Sequence, residues 1–160
     1  MKIRIGFGFD VHQLKEGKDF FLGGIKVEHS RGATGHSDAD VLIHAICDAL
    51  LGAANLRDIG YHFSDKDPQY KGIDSKLLLK QVIQLLKEKG YSIGNVDCTL
   101  VLEVPKINPY IPEIQKTLSE VMDIASEDIS IKATTNEKMG FVGREEGVTA
   151  YAVALIHQGA

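Results

Sequence analysis

The sequence predicts a single α+β domain in which a mixed β-sheet carries helices on one face. Five segments have the composition and alternation of strands, and three repeat apolar residues at helical spacing. The 160 residues show no internal repeat or low-complexity tract, so residues 1–160 read as one catalytic domain long enough to bury its own core.

The first strand covers GFGFDVH, where Ile3, Ile5, Phe7, Phe9 and Val11 alternate with Arg4, Gly6, Gly8, Asp10 and His12. Asp10 and His12 therefore share a face with Gly6 and Gly8, which leave it open to close approach by a ligand. Residues 13–19 read as a polar turn. Residues 20–27 read as a second strand, bulged or bent at Gly23 and Gly24 and joined to the first in a β-hairpin. Residues 30–35 have loop composition. Ser37 or Asp38 then caps a helix running to about Ala54. Residues 55–72 hold no sustained period and form a long irregular loop, of a kind that often serves as a lid or binding segment. Asp74 or Ser75 caps a second helix, apolar at Leu78, Val82, Leu85 and Leu86 and closed by Gly90, whose role reads as structural. Residues 97–104 make a strand that Pro105 stops. A third helix, about 110–123, buries Ile111, Ile114, Leu118, Val121 and Met122. Strands at about 129–134 and 147–156 end the pattern, for five strands and three helices.

Lys and Arg (18) against Asp and Glu (22) give a net charge of −4 with no block of like charge, which argues against nucleic acid as a partner. Cys47 and Cys98 have no CxxC spacing and read as buried thiols in a reducing compartment. With neither an apolar signal segment nor a membrane span, the expectation is a cytoplasmic protein, or a mature organellar one.

Asp10 and His12, with His44 on the first helix, make a ligand set suited to zinc with one position left open. Each also has a plainer reading. An Asp and a His two apart on a strand occur as surface hydrogen-bonded pairs. His44 shares a stripe with Asp40 and Asp48 at i, i+4 and i+8, either of which can be its partner. Between the last two strands, Thr134 and Thr135 offer hydroxyls, Glu137 a hard oxygen ligand, and Lys138 and Arg144 cations. Gly140 and Gly143 let backbone approach phosphate. With Lys106 this loop can hold a polyphosphate; alternatively it is a charged hairpin loop in solvent. It is neither a P-loop nor a dinucleotide fingerprint.

GFGFDVH, GHSDADVLIHAICDALLGAANLRDIGYHF, DSKLLL, GYSIGNVD, PKINPYIP and KATTNEKMGFVGREEG, in that order, resemble the 2-C-methyl-D-erythritol 2,4-cyclodiphosphate synthases of the non-mevalonate isoprenoid pathway. The resemblance implies Asp10, His12 and His44 as zinc ligands, with a substrate phosphate oxygen in the fourth position. It implies phosphate contacts from His36 and Ser37, contacts to the erythritol part from Asp58 and Gly60, and a flexible loop holding Phe63 and Asp67. Thr134 and Thr135 match cytidine-diphosphate contacts, Glu137 the ligand of a magnesium or manganese ion, and Pro105, Lys106 and Ile107 the stretch that recognises cytosine. Phe141 and Arg144 join the implied substrate-binding set. Asp10, His12, His44, Glu137 and Thr135 are the implied catalytic group. A homotrimer with sites between subunits is also implied, with Arg144, Glu146 and Phe7 or Phe9 near a central channel. Asp40 or Asp48 is the expected partner of the free ring nitrogen of His44. Asn136 and the pair Tyr61-His62 depart from the family pattern. Two rivals use the same residues: a zinc-dependent phosphohydrolase, and a non-catalytic trimer that binds phosphate ligands.

Overall fold

The structure, a computed structural model, describes residues 2–159. A five-stranded sheet runs β4-β1-β7-β5-β6, built from β1 (Lys2–Glu16), β4 (Arg31–Thr34), β5 (Tyr91–Val101), β6 (Ile129–Thr134) and β7 (Gly147–Gln158). All neighbours are antiparallel except β5 and β6, which are parallel and joined through helix α4 (Ile111–Met122). The sheet is thus mixed, as expected, and α1 (Val41–Ala53), α3 (Ser75–Glu88) and α4 cover one of its faces. Two short helices, α2 (Ile59–His62) and α5 (Gly140–Gly143), lie in the connections.

The depth at which α1 sits is set by side-chain size. Along the covered face, Gly6 and Gly8 of β1 pair with Ala154 and Ala152 of β7, which in turn pair with Val96 and Cys98 of β5. Size therefore falls toward β1, and α1 settles there. A Cβ at Gly8 would lie 1.9 Å from the Ala45 carbonyl oxygen, and one at Gly6 would lie 2.0 Å from that of Ala49. The bare face that the sequence offered to a ligand is thus filled by backbone of this same chain. Small residues on both sides are what make the contact close.

Several local expectations change. Residues 13–16 continue β1 instead of turning, because β4 supplies hydrogen-bond partners there: Leu14 pairs with Ala33 and Glu16 with Arg31. Residues 30–35, expected as loop, thus contain a sheet strand. No hairpin joins residues 20–27 to β1. They fold on themselves as β2 (Phe20–Leu22) and β3 (Ile25–Val27), closed by Gly23 and Gly24 at φ 59° and 83°. Two consecutive positive-φ residues are what a two-residue type I′ turn requires, so the glycines make a turn and not a bulge.

The cap of α1 is Asp40, not Ser37 or Asp38. Its carboxylate, fully buried, accepts from the backbone N–H groups of Ile43, Gly23 and Gly24 at 3.0, 3.0 and 2.7 Å. One side chain thereby closes the helix start and pins the β2-β3 turn against it. Burial raises the Asp40 pKa, with the three donors opposing the shift. The 55–72 stretch also contains α2 and a 3-10 turn at Pro68–Tyr70, each capped by an aspartate, Asp58 and Asp67.

The opposite face of the sheet carries Ile5, Phe7, Phe9, Tyr151 and Val153, with Ile5 71% and Phe7 63% exposed in the single chain. Phe9 and Tyr151 meet across the strand pair with tilted rings whose centroids are 5.1 Å apart. A contiguous apolar face of this kind marks a contact surface.

Gly8→Val forces a side chain into the α1 backbone and should cost about 1–3 kcal/mol, the range for overpacked cores. Thermal unfolding reads it as a fall in Tm of several degrees; an unchanged Tm would mean that α1 is not seated on Gly8.

Candidate metal and phosphate site

Because α1 lies against Gly6 and Gly8, its side chain one turn from the N-terminus reaches the end of that glycine row. There His44 meets Asp10 and His12. Asp10 Oδ2 is 3.0 Å from His12 Nε2 and 3.0 Å from His44 Nδ1, and the two ring nitrogens are 3.2 Å apart. These residues form a group able to hold a metal ion, the one found among the described residues.

The hydrogen bonds behind His12 favour that use. Its Nδ1 lies 3.2 Å from the Thr34 carbonyl oxygen, which can only accept. Nδ1 therefore carries the proton and Nε2 turns a lone pair toward Asp10 and His44. A tetrahedral ion with bonds of about 2.0–2.1 Å holds its ligand atoms about 3.3 Å apart, close to the spacing present. The donor set of two imidazoles and a carboxylate fits zinc chemistry. Burial opposes ionisation of Asp10, yet the two imidazoles that face it outweigh the burial and hold its carboxyl at about 2. Burial likewise disfavours charge on His44, and the nearby Asp10 carboxylate reverses the sign, raising its pKa. Both shifts describe a pocket that draws in positive charge.

The triad opens on a cavity of about 410 Å³ whose lining includes His12, His36, Ser37, His44, Gly60 and Phe63. These six residues, all expected from sequence, are thus gathered there, His12 and His44 as members of the triad. His36 Nε2 donates to the Asp67 carbonyl oxygen at 3.1 Å, tying the loop to the cavity wall. Asp67 serves through its backbone, while its carboxylate caps the 3-10 turn. Asp58 does not line the cavity; it caps α2 and so presents Gly60. Asp65, Tyr70 and Leu78 also line it, and no local pattern in the sequence marks them.

A second cavity, about 200 Å³, lies where the parallel strands β5 and β6 end. Pro105, Lys106, Ile107, Thr134 and Thr135 line it, all expected from sequence. Ile107 is buried, at 2% exposure. Glu103, which the sequence reading passed over, accepts from Asn136 N at 2.9 Å and fixes the loop beyond β6. In that loop Glu137 is exposed, its N–H held by Thr135 Oγ1 at 3.3 Å. Arg144 is exposed and forked onto Glu146 by two 3.0 Å bonds, and Phe141 is 43% exposed. The two cavities share no lining residue.

Neither Asp40 nor Asp48 partners His44. Asp40 is spent on the helix start, and Asp48 accepts from Ile59 N at 2.7 Å, holding α2 against α1. The Nε2 of His44 faces Ser75 Oγ at 2.9 Å and Ser37 Oγ at 3.1 Å instead. The helix that begins with Ser75 is therefore part of the site and not only of the core.

The sequence pattern of the YgbB family matches residues 3–157. The chain belongs to that family. It is 67% identical over 98% of its length to the 2-C-methyl-D-erythritol 2,4-cyclodiphosphate synthase of Cytophaga hutchinsonii, covering 98% of that protein. Its fold matches the bifunctional IspDF of Campylobacter jejuni with a TM-score of 0.95 at 36% identity, covering 99% of this chain and 43% of that one. It also matches the IspF of Plasmodium falciparum in complex with CDP, with a TM-score of 0.87 at 35% identity over 99% of this chain and 97% of that one. No helix among the described residues is long and apolar enough to cross a membrane.

His44→Ala removes one of the three candidate ligand atoms and should drop bound divalent metal, measured by elemental analysis of dialysed protein, by roughly tenfold or more. Asp48→Asn should leave it unchanged, since Asp48 faces Ile59 and not the ring.

Proposed function

We propose that the chain converts 4-diphosphocytidyl-2-C-methyl-D-erythritol 2-phosphate to 2-C-methyl-D-erythritol 2,4-cyclodiphosphate and CMP. The observation that carries this reading is the full-length likeness to relatives bearing the synthase name. The geometry supplies what such a reaction needs.

The substrate's 2-phosphate oxygen attacks the β-phosphorus, a P–O bond forms, and the bond from that phosphorus to the bridging oxygen breaks, CMP leaving with the oxygen. A phosphate monoester has its second pKa near about 6, so the nucleophile is already anionic at neutral pH and needs no general base. No Ser-His-Asp or Cys-His constellation is called for. The barrier lies in bringing anions together in line and in tolerating charge on the leaving group, which positioning and fixed positive charge address.

Asp10, His12 and His44 would hold a zinc ion, which when bound supplies charge to orient and polarise a phosphate oxygen. The Ser37 hydroxyl stands beside them to donate to the same phosphate, and His36 lines the cavity next to it as a further contact. The 410 Å³ cavity, walled by Phe63 and Gly60, takes the methylerythritol part. In the second cavity the backbone of Pro105 to Ile107 recognises cytosine, and Thr134, Thr135 and Lys106 grip the diphosphate. Exposed Glu137 is placed to hold magnesium or manganese, with Phe141 and Arg144 at the rim.

Two disjoint cavities on one chain fit a site shared between copies, and the exposed apolar sheet face offers the contact to build it. The assembly proposed is a homotrimer, each site pairing the zinc half of one copy with the cytidine half of the next. The setting is cytoplasmic, and no nucleic acid or membrane takes part.

Purified protein given the cytidyl substrate should release CMP and a cyclic diphosphate in equal amounts, and a chelator should abolish both. A linear phosphate product would instead favour the hydrolase, and absence of turnover the binding protein. Co-expressed His44→Ala and Glu137→Gln chains should regain a substantial share of activity that neither variant has alone, because mixed trimers contain intact sites. No recovery in verified mixed trimers would place both halves on one chain.

A further inference from the structure

The hydrogen bonds behind His44 form a chain that continues past the ring. Ser75 is fully buried, with its Oγ 2.9 Å from His44 Nε2 and 2.5 Å from Asp38 Oδ1. Asp38 is held in turn: its Oδ2 accepts from Ser75 N at 3.0 Å, at the start of α3, and its Oδ1 accepts from Asp40 N at 3.2 Å. Its own N–H donates to the Ile73 carbonyl oxygen at 3.0 Å, so the residue is clamped between the α1 entry and the α3 entry.

A hydroxyl has one proton. The carboxylate of Asp38 can only accept, so the Ser75 proton points to it, and Ser75 Oγ turns a lone pair to the imidazole. His44 Nε2 must then carry a proton to satisfy it. Nδ1 is left with its lone pair directed at Asp10 and His12, so three sets of lone pairs converge on the position that a bound cation would fill. The opposite tautomer would set two lone pairs against each other at Nε2 and turn an N–H into the ligand position.

We propose that Asp38 and Ser75 are positioning residues of the metal site, a carboxylate-hydroxyl relay that fixes the His44 tautomer so that Nδ1 is the ligand atom. The relay also divides labour between two serines. Ser37 Oγ lies 3.1 Å from the same Nε2 and accepts from Ala39 N at 3.2 Å. With Ser75 nearer and holding the ring proton, the Ser37 hydroxyl keeps its own proton for an anionic ligand in the cavity that it lines. A site with Ser37 alone would have to use one hydroxyl for both tasks. The relay rests on the reading of Asp10, His12 and His44 as a metal site, and it is independent of which phosphate ester is turned over.

The test uses zinc alone, titrated into the full-length protein against a chelating indicator. Ser75→Ala and Asp38→Asn should each weaken zinc binding by roughly 10–100-fold, the usual effect of removing an outer partner of a ligating histidine. Because Ser75 begins α3, thermal unfolding of the zinc-free variants is recorded alongside. Affinity that stays at the wild-type value in folded variants would overturn the relay while leaving the metal site standing if His44→Ala still abolishes binding. Wild-type protein that binds no zinc would overturn both. A second measurement does not depend on any variant folding: ¹⁵N spectra of the histidine side chains in zinc-loaded wild-type protein should show His44 with a slowly exchanging proton on Nε2 and metal on Nδ1. Metal on Nε2 would overturn the proposal.

Discussion

The close seating of α1 on Gly6 and Gly8 is the contact on which the remaining architecture depends. Helices ordinarily ride above a sheet at a distance set by the side chains between them. Here nothing stands between the Ala45 and Ala49 carbonyls and the β1 backbone, and the row of Ala150, Ala152 and Ala154 on β7 keeps the neighbouring strand equally low. Three positions, Val96, Cys98 and Leu100 on β5, then fill the wedge that opens on the far side. The helix is thereby lowered onto β1, and the ring of His44, on its first turn, arrives 3.2 Å from that of His12, four residues beyond Gly8. Any side chain at Gly8 would lift the helix and part the ligand atoms.

Polar groups then lock what the packing brings together. Asp40 ties the α1 start to the β2-β3 turn, Asp38 ties the same segment to the start of α3, and Asp48 ties α1 to α2. Three aspartates in one short stretch thus have three structural tasks, each satisfied by backbone N–H groups that would otherwise be orphaned at helix ends. A buried carboxylate in such a place strongly resists replacement, because its loss leaves several donors unpaired at once. The two histidines of the candidate metal site are anchored in the same way: His12 is held from behind by the Thr34 carbonyl of β4 and His44 by Ser75 of α3.

The chemistry proposed suits that rigidity. A reaction whose nucleophile comes already ionised needs no proton-transfer group of finely set pKa, and what remains is geometry and charge. The low carboxyl of Asp10 and the preference of the pocket for cations would supply the charge side, while the two separate cavities would anchor the two ends of the proposed substrate. The apolar face left uncovered by helices is the counterpart of this arrangement, since the same strand that carries Asp10 and His12 on one side carries Phe7 and Phe9 on the other.

The sequence by itself determined the fold class, the three main helices, the four long strands and about half of the residues gathered at the two cavities, because periodicity and caps are local and because the family motifs name side chains one by one. It did not determine what those side chains touch. The glycines on β1 were legible as a bare face, but whether ligand or helix fills a bare face depends on an element some forty residues away. Residues 31–34 became a strand because β1 runs long enough to pair with them, and residues 20–27 turned on themselves because two glycines in succession can both take positive φ. Asp40 and Asp48 were equal candidates beside His44 on a helical wheel, and tertiary structure gave the ring to Ser75 instead, since a helix places its i±4 neighbours alongside a side chain whereas the tip of a histidine reaches the next element. Spacing fixes which residues share a face; only the packed chain decides which face meets which.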